Sequence, residues 1–192
     1  MASKTVRLTT AEAIVRFLIA QRTIVDGTEV PLFPGVYGIF GHGNVAGIGQ
    51  ALLQYSIDEP ELMPYHQARN EQGMVHESIA YARMTRRMST YANAASVGPG
   101  ATNMLTGAAV ATTNRLPVLL LPSDTFANRA PDPVLQQLEM PHDASLTVND
   151  AFKSVTRYWD RITHPAQFIG SLPQAIAAML DPADCGPAFI GL

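Results

Sequence analysis

The sequence contains few charged residues, since Asp, Glu, Lys and Arg together make up 15% of its 192 residues. Soluble domains usually carry about 25%, and apolar residues here reach 47%. With so little charge to cover a free surface, we expect one face to lie against another domain or subunit. The formal net charge of -3 and the scattered basic residues argue against nucleic acid as a partner, because proteins that bind it carry a basic patch.

Cysteine, long apolar runs and metal-binding spacings are also scarce. Cys185 is the only cysteine, which excludes an internal disulfide and a thiolate zinc site. No run approaches the roughly 20 apolar residues that span a bilayer, and residues 1–8 lack the apolar segment of a secretory signal. The five histidines show no metal-ligand spacing, so we expect no metal site in this chain. These absences favour a cytoplasmic protein with no membrane partner.

What the sequence does contain is a repeated alternation of apolar strand, turn and helix. Thr9 or Thr10 can cap a first helix, and Gly27 closes the segment that follows it. The alternation predicts an α/β fold: a doubly wound, mainly parallel six-stranded sheet with helices on both faces. Strands are expected near residues 36–40, 62–67, 91–97, 118–121 and 188–192, and the later helices near residues 45–55, 71–87, 101–114 and 165–180.

The length suits one such domain, so we expect a single domain over residues 1–192. The sequence ends on an apolar strand, which we interpret as the mark of a fragment of a longer, three-domain enzyme. Residues 123–150 interrupt the alternation and predict a long loop with a short helix near residues 134–138. Long loops in compact domains are usually functional or cover an interface.

Three turns between a strand and a helix are candidates for chemistry. The first, residues 41–47, reads Gly-His-Gly-Asn-Val-Ala-Gly, and such a turn can cradle a phosphate. A dinucleotide would need an acidic residue after the next strand, but the chain there offers only Arg69, which suggests a 2′-phosphate at most. A plain tight turn, in which glycine permits close packing, is the simpler interpretation of these glycines taken alone.

Glu71, at the start of the helix over 71–87, is the second candidate. Helical spacing puts it one turn before Val75, on an apolar stripe continued by Ile79 and Ala82. A carboxyl there is balanced between the cost of burial and the favourable helix N-terminus, which suits it to sharing a proton with a ligand. The alternative is a solvated glutamate in the first helical turn, which is common.

The third turn, residues 98–103, reads Gly-Pro-Gly-Ala-Thr-Asn. Taken alone it is ordinary turn chemistry, in which Pro99 fixes the backbone and the flanking glycines let a flat ligand or another subunit approach closely. This turn occurs together with a strand that ends at Gly41 and a helix that starts with Asn-Glu-Gln at residues 70–72. The combination resembles the pyrimidine-binding (PYR) domain of the acetolactate synthase and pyruvate oxidase superfamily. The resemblance covers nearly the whole chain.

Two departures narrow this resemblance to one branch. Phe40 stands where the superfamily usually has Pro, and Asn70 stands where it usually has His. Residues 41–52, 129–139 and 148–150 are similar to the hydrolases of inositol breakdown, which open the ring of a cyclic 1,2-dione to a deoxyglucuronate. Another substrate within the superfamily, as in an acetolactate synthase or a decarboxylase, and a non-catalytic binding subunit are the alternatives.

The resemblance implies thiamine diphosphate with Mg²⁺ as cofactors and Glu71 as the catalytic group, which hydrogen-bonds the pyrimidine ring. The cofactor-binding residues that it implies are Gly41, His42, Gly43, Glu71, Gly98, Pro99, Gly100 and Asn103. The candidate substrate-binding residues are His42, Gln136 and Gln137. The Gly-Asp-Gly segment that holds Mg²⁺ and the diphosphate does not occur in these 192 residues. We therefore expect those ligands in the C-terminal domain of a partner subunit, within a homodimer or homotetramer.

Overall fold

The computed structural model describes residues 5–128, 135–138 and 142–192, and eight strands lie within them. These are β1 Arg22–Val25, β2 Thr28–Pro31, β3 Val36–Ile39, β4 Tyr65–Gln67, β5 Ala92–Ala95, β6 Leu119–Pro122, β7 Tyr158–Arg161 and β8 Ala188–Gly191. The first two form an antiparallel hairpin. The other six form one sheet in the order β4-β3-β5-β6-β8-β7. Every neighbouring pair in that sheet is parallel.

Helices connect the strands. They are α1 Thr10–Ala20, α2 Gly41–Asn44, α3 Gln50–Asp58, α4 Glu71–Met84, α5 Pro99–Thr102, α6 Leu105–Asn114 and α7 Phe168–Met179. A π-helical segment, Val45–Gly49, joins α2 to α3, and 3₁₀ segments span Val148–Ser154 and Pro165–Gln167. Thr9, one of the two caps that the sequence offers, caps α1 in a reciprocal capping box with Glu12. None of the helices in the described ranges is long and apolar enough to cross a membrane.

The sheet is buried on both faces. On one face, Leu119, Leu121 and Ile190 belong to a core that also includes residues of α1, α3 and α7. On the other face, Leu120 and Phe189 pack with residues of α4 and α6. Successive residues of β6 and β8 thus point to opposite helical layers, as the period of two in a strand requires. The predicted doubly wound α/β fold is confirmed.

The β1-β2 hairpin is an element that the sequence pattern did not predict. Its two turn residues, Asp26 and Gly27, have φ values of 51° and 81°, and positive φ at both positions is typical of two-residue hairpin loops. Gly27 therefore belongs to a hairpin turn. It does not close a helical segment.

Other details of the structure also differ from the prediction. Helix α4 ends at Met84 and not at residue 87, because Arg86 and Arg87 adopt left-handed φ values of 54° and 69°. The half-buried edge strand β7 was not predicted. Of the short helix expected near residues 134–138, residues 135–138 are not helical, and Val134 lies outside the described residues.

Candidate functional site

The candidate site lies at the carboxyl edge of the sheet, where β3 has β4 on one side and β5 on the other. The chain passes from β3 to β4 and then crosses back to β5. In doubly wound folds, such a reversal opens a crevice outside the carboxyl ends of the strands, and ligands bind there. The turn after β3, the start of α4 and the turn after β5 all border this crevice.

Glu71 is the first residue of α4. The helix begins here because Asn70 caps it: the Asn70 side-chain oxygen accepts a hydrogen bond from the backbone N–H of Gly73 at 2.9 Å. The apolar stripe behind the carboxyl is buried as predicted, with Val75 fully enclosed and Ile79 only 6% exposed. Glu71 itself is half-buried. Its carboxylate lies at the crevice, and the buried apolar residues of α4 lie behind it.

One hydrogen bond joins the start of α4 to the turn after β5. Asn103 Nδ2 donates to Glu71 Oε2 at 2.7 Å, whereas no described residue donates to Oε1. The two side chains border a cavity of about 550 Å³, which we call the carboxylate cleft. The cleft is lined by Glu71, Pro99, Gly100, Thr102, Asn103 and Gln136.

Gly100 lines the carboxylate cleft, and its lack of a side chain leaves space beside Glu71. A Cβ on Gly100 would lie 2.1 Å from Ser96 Oγ and 3.2 Å from Glu71 Oε1. Any side chain would therefore fill the space directly beside the free carboxylate oxygen. Ser96 is buried beneath this glycine, and sequence reasoning missed it, because nothing in the local pattern marks a serine at a strand end as a neighbour of both glycine turns.

The turn after β3 contains two glycines with positive φ, Gly41 at 44° and Gly43 at 96°. His42, between them, is exposed and does not line the carboxylate cleft. A Cβ on Gly41 would lie 2.8 Å from Ser96 Cβ, whereas one on Gly43 would lie 2.3 Å from Ser123 Oγ. Gly41 therefore packs against Ser96 and Gly43 against Ser123, and neither glycine lines the cleft.

Asn44 anchors this turn to the sheet and was also missed. Its side chain is buried, and its Nδ2 donates to the backbone oxygens of Ala95 at 2.9 Å and Leu121 at 2.8 Å. One amide thus bridges the carboxyl ends of β5 and β6. Its position directly after a glycine turn is the only signal that the sequence offers, because the two acceptors come from strands far along the chain.

Gln136, in the long loop over residues 123–150, lines the carboxylate cleft. A Cβ on Gly98, whose φ is 65°, would lie 1.8 Å from the backbone oxygen of Gln136, and one on Gly41 would lie 3.6 Å from its Oε1. Gln136 therefore borders the cleft of its own chain. Gln137 does not line the cleft. The functional roles of both glutamines stay predictions.

A second cavity, of about 490 Å³, lies beyond Gly43 at the same edge of the sheet. Asp124 and His164 border it, but both already have partners within the chain: Asp124 Oδ2 accepts a hydrogen bond from Arg161 Nε, and His164 Nδ1 accepts one from the Ala166 N–H. Within the part of the chain that the structure describes, no three His, Cys, Asp or Glu side chains are grouped so as to hold a metal ion. The carboxylate cleft is thus the better candidate site.

A doubly wound parallel sheet that presents a carboxylate and two glycine turns at its carboxyl edge has the architecture of an enzyme domain that binds a cofactor. The chain belongs to the thiamine pyrophosphate enzyme family, because residues 36–145 match the model of the N-terminal TPP binding domain of these enzymes. The family match confirms the resemblance found in the sequence. Thiamine diphosphate, and not a dinucleotide, is the cofactor of this family.

Curated relatives extend the likeness along the chain. The chain is 54% identical over 187 residues to the 3D-(3,5/4)-trihydroxycyclohexane-1,2-dione hydrolases of Bacillus velezensis and Bacillus subtilis, an alignment that covers 97% of this chain and 29% of each relative. It is 50% identical over 190 residues to the enzyme of the same name from Listeria monocytogenes, with 99% and 29% covered. The chain therefore spans less than a third of the length of the relatives it matches.

Proposed function

We propose that this chain is the PYR domain of a three-domain, thiamine-diphosphate-dependent hydrolase that opens the ring of 3D-trihydroxycyclohexane-1,2-dione to 5-deoxyglucuronate in myo-inositol catabolism. The observation that carries the proposal is the half-buried Glu71 carboxylate. Asn103 donates a hydrogen bond to one of its oxygens, and Gly100 leaves open the space beside the other. The high identity to hydrolases of that name supports the choice of substrate.

The carboxylate cleft fits the pyrimidine ring of thiamine diphosphate. The ring is flat, and a Cβ at Gly100 would fill the space beside Glu71 Oε1, so glycine leaves room for a planar group there. Oε1 accepts no hydrogen bond from the described residues and is available to a ring nitrogen. Pro99, which lines the cleft, would border the ring with its pyrrolidine side chain, whereas Gly98 packs against the backbone oxygen of Gln136.

The candidate residues contribute to this proposal in different ways. Glu71 shares a proton with the ring nitrogen and is the catalytic residue. Of the predicted cofactor-binding residues, Pro99, Gly100 and Asn103 line the carboxylate cleft with Glu71, whereas Gly41, His42, Gly43 and Gly98 do not line it and their roles stay predictions. The substrate candidates are His42, Gln136 and Gln137. Among these three, Gln136 has the strongest support, because it already borders the cleft.

When bound, thiamine diphosphate supplies a nucleophilic carbon that adds to a carbonyl group, which is chemistry that no protein side chain provides. The chain's own contribution is orientation and proton transfer. Glu71 Oε1 holds or accepts a proton at a fixed point, and the apolar stripe behind it excludes water from one side. A fixed proton-sharing group contributes typically 10²- to 10⁴-fold to a rate.

We further propose that Mg²⁺ and the diphosphate are held by the C-terminal domain of a partner subunit, in a homodimer or homotetramer. The absence of a Gly-Asp-Gly segment from the 192 residues supports this division, as does the low charge fraction. A cytoplasmic location is in keeping with the single, buried cysteine.

Glu71→Gln in the full-length protein tests the proposal, because glutamine keeps the shape of the side chain but cannot share a carboxyl proton. We expect at least a 100-fold loss in hydrolysis of the cyclic dione and a similar loss in exchange of the cofactor C2 proton. Glu61→Gln, at an exposed site outside the cleft, is the matched control. Near wild-type exchange in Glu71→Gln would remove Glu71 from the mechanism, and turnover of pyruvate in place of the dione would favour an acetolactate-synthase-like enzyme.

A further inference from the structure

Asn103 contacts the Glu71 carboxylate directly. This contact affects which of the two carboxylate oxygens shares a proton with the ligand. We infer that Asn103 is a positioning residue: by occupying Glu71 Oε2 it makes Oε1 the oxygen that shares a proton with the ligand. The inference rests on the proposed function. It differs from the sequence-based expectation, in which Asn103 binds the cofactor itself.

The backbone holds Asn103 in place. It follows the last residue of α5, and its backbone N–H donates to the Pro99 oxygen at 3.0 Å. The next residue, Met104, is fully buried in the core beside α4 and α6. The Asn103 side chain is therefore aimed from a fixed backbone at the first residue of α4, across 32 residues of sequence.

The chemistry of the contact distinguishes the two oxygens. An amide Nδ2 carries two N–H donors and no acceptor, so the Glu71 oxygen that it touches must present a lone pair. At 2.7 Å, this hydrogen bond is as short as those that carboxylates usually accept from charged donors. A proton on Oε2 would make that oxygen a weaker acceptor and weaken the contact, so the hydrogen bond favours the proton on Oε1.

The free oxygen is also the one that faces the cleft. Oε1 lies 3.2 Å from the position of an added Cβ on Gly100, and no described residue donates to it. Gly100 leaves open the space beside that oxygen, while Asn103 prevents the carboxyl group from rotating its other oxygen into it. The two residues thus select one atom and one direction for proton sharing.

The first test observes the hydrogen bond in the cofactor-free 192-residue chain. We expect the side-chain amide signals of Asn103, measured by ¹H–¹⁵N NMR, to shift in Glu71→Gln, because a neutral amide then replaces the carboxylate that accepts its hydrogen bond. The matched internal control is Asn114, whose side chain contacts Arg83 and a backbone oxygen and whose signals should stay in place. Asn103 signals that are the same in wild type and Glu71→Gln, or Asn114 signals that shift equally, would overturn the inference.

The second test is a double-mutant cycle in the full-length protein, read by the exchange rate of the cofactor C2 proton. Asn103→Ala should lower the rate by roughly 10- to 100-fold, the loss expected when a hydrogen bond to a charged group no longer fixes a reacting atom. In the Glu71→Gln background, the same change should lower the rate less than about twofold, because Asn103 acts through Glu71. Asn114→Ala is the control.

Equal losses in both backgrounds would mean that Asn103 contacts the cofactor independently, and the positioning role would fall. Wild-type exchange in Glu71→Gln alone would overturn the proposed function instead, so the two failures are distinguishable. If Asn103→Ala does not fold, Asn103→Leu, which has a similar shape and no charge, takes its place in the cycle. It removes the donor and should give the same loss that disappears in the Glu71→Gln background.

Discussion

At the scale of single residues, Gly100 has two neighbours that require glycine for different reasons. Ser96 Oγ lies 2.1 Å and Glu71 Oε1 3.2 Å from where a Cβ would sit. The contact with Ser96 is a matter of packing within the chain, whereas the contact with Glu71 is a matter of access to the carboxylate. A single substitution at Gly100 mixes the two effects, but a pair of substitutions separates them.

We predict that Gly100→Ala destabilises the chain by about 1–3 kcal/mol, the usual cost of overpacking. Adding Ser96→Ala should recover most of that loss in free energy of unfolding, because it removes the 2.1 Å contact with Ser96 Oγ and leaves only Glu71 Oε1 at 3.2 Å and the Ser96 Cβ at 3.3 Å as close neighbours. Affinity of the full-length protein for thiamine diphosphate should stay low in the double variant. Denaturant unfolding and titration calorimetry measure the two effects, with Ser96→Ala alone as the control. Recovery of both would reduce Gly100 to a packing role.

Residue types with a strong local signature could be predicted from the sequence. Glu71 was found because helical spacing put it on an apolar stripe, and Gly98, Pro99 and Gly100 were found because they lie between a strand and a helix. Ser96 was not found. Its role depends on two turns that meet only in the folded chain, and no spacing along the sequence encodes that meeting.

At the scale of elements, strand β7 is tied to the rest of the molecule by one buried ionic network. Arg161 Nε contacts Asp124 Oδ2 at 2.6 Å, and Nη2 contacts Asp150 Oδ2 at 2.7 Å. The three side chains are 16%, 4% and 9% exposed. The network joins the end of β7 to the loop after β6 and to the 3₁₀ segment Val148–Ser154, so it fixes the end of the long loop.

This network predicts how stability depends on pH. Burial raises the pKa of Asp150, but hydrogen bonds from Lys153, the Thr147 backbone and Arg161 outweigh it and lower the pKa from 3.8 to about 2. Because the folded-state pKa is the lower one, the stabilisation is complete above about pH 4 and is lost as the pH falls towards 2. We expect a loss of about 1–2 kcal/mol over that window.

Asp150→Asn should flatten this part of the pH dependence, measured by denaturant unfolding between pH 2 and pH 5. The matched control is Asp26→Asn, which removes the same charge from the exposed hairpin turn and should keep the wild-type slope. An unchanged slope in Asp150→Asn would show that the network does not couple to folding in this pH range.

The elements that the sequence failed to predict share a physical cause. The edge strand β7 follows a 3₁₀ segment and not an α-helix, so the strand-helix rhythm that revealed the other strands is broken before it. The β1-β2 hairpin was missed although Asp26 and Gly27 form a typical turn, because its strands lie outside the parallel sheet and their outward side chains, such as Ile24 at 68% exposure, show no continuous apolar pattern.

At the scale of the whole molecule, an apolar stripe on the outer helical layer remains exposed. Val45, Leu53 and Ile57 are 60%, 59% and 69% exposed, and their spacing of eight and four residues puts them on one side of the helical segment that runs into α3. Beside them lies a groove of about 460 Å³. Exposed apolar surface of this kind usually marks an interaction site, in agreement with the low charge fraction.

We therefore predict that the 192-residue chain, studied by itself, self-associates through this stripe. Burial of apolar area favours contact between copies, and few charges are present to oppose it. Sedimentation velocity at several concentrations should show an increasing average mass, and Leu53→Lys should reduce it. Ile24→Lys, an equally exposed position on the hairpin, is the matched control. Equal reductions by the two variants would indicate a general effect of charge and not a specific surface.

The same chain should bind thiamine diphosphate weakly even when Mg²⁺ is present. The carboxylate cleft can give the pyrimidine ring a hydrogen bond and open space beside Gly100. However, the 192 residues contain no Gly-Asp-Gly segment to provide the oxygen ligands that Mg²⁺ needs. Without that anchor, the ring contacts alone must offset the entropy lost on binding. Titration calorimetry on the sample used for sedimentation measures the affinity. Micromolar or tighter binding by a monomer would contradict the proposed division of the site between two domains, because one domain would then hold the whole cofactor.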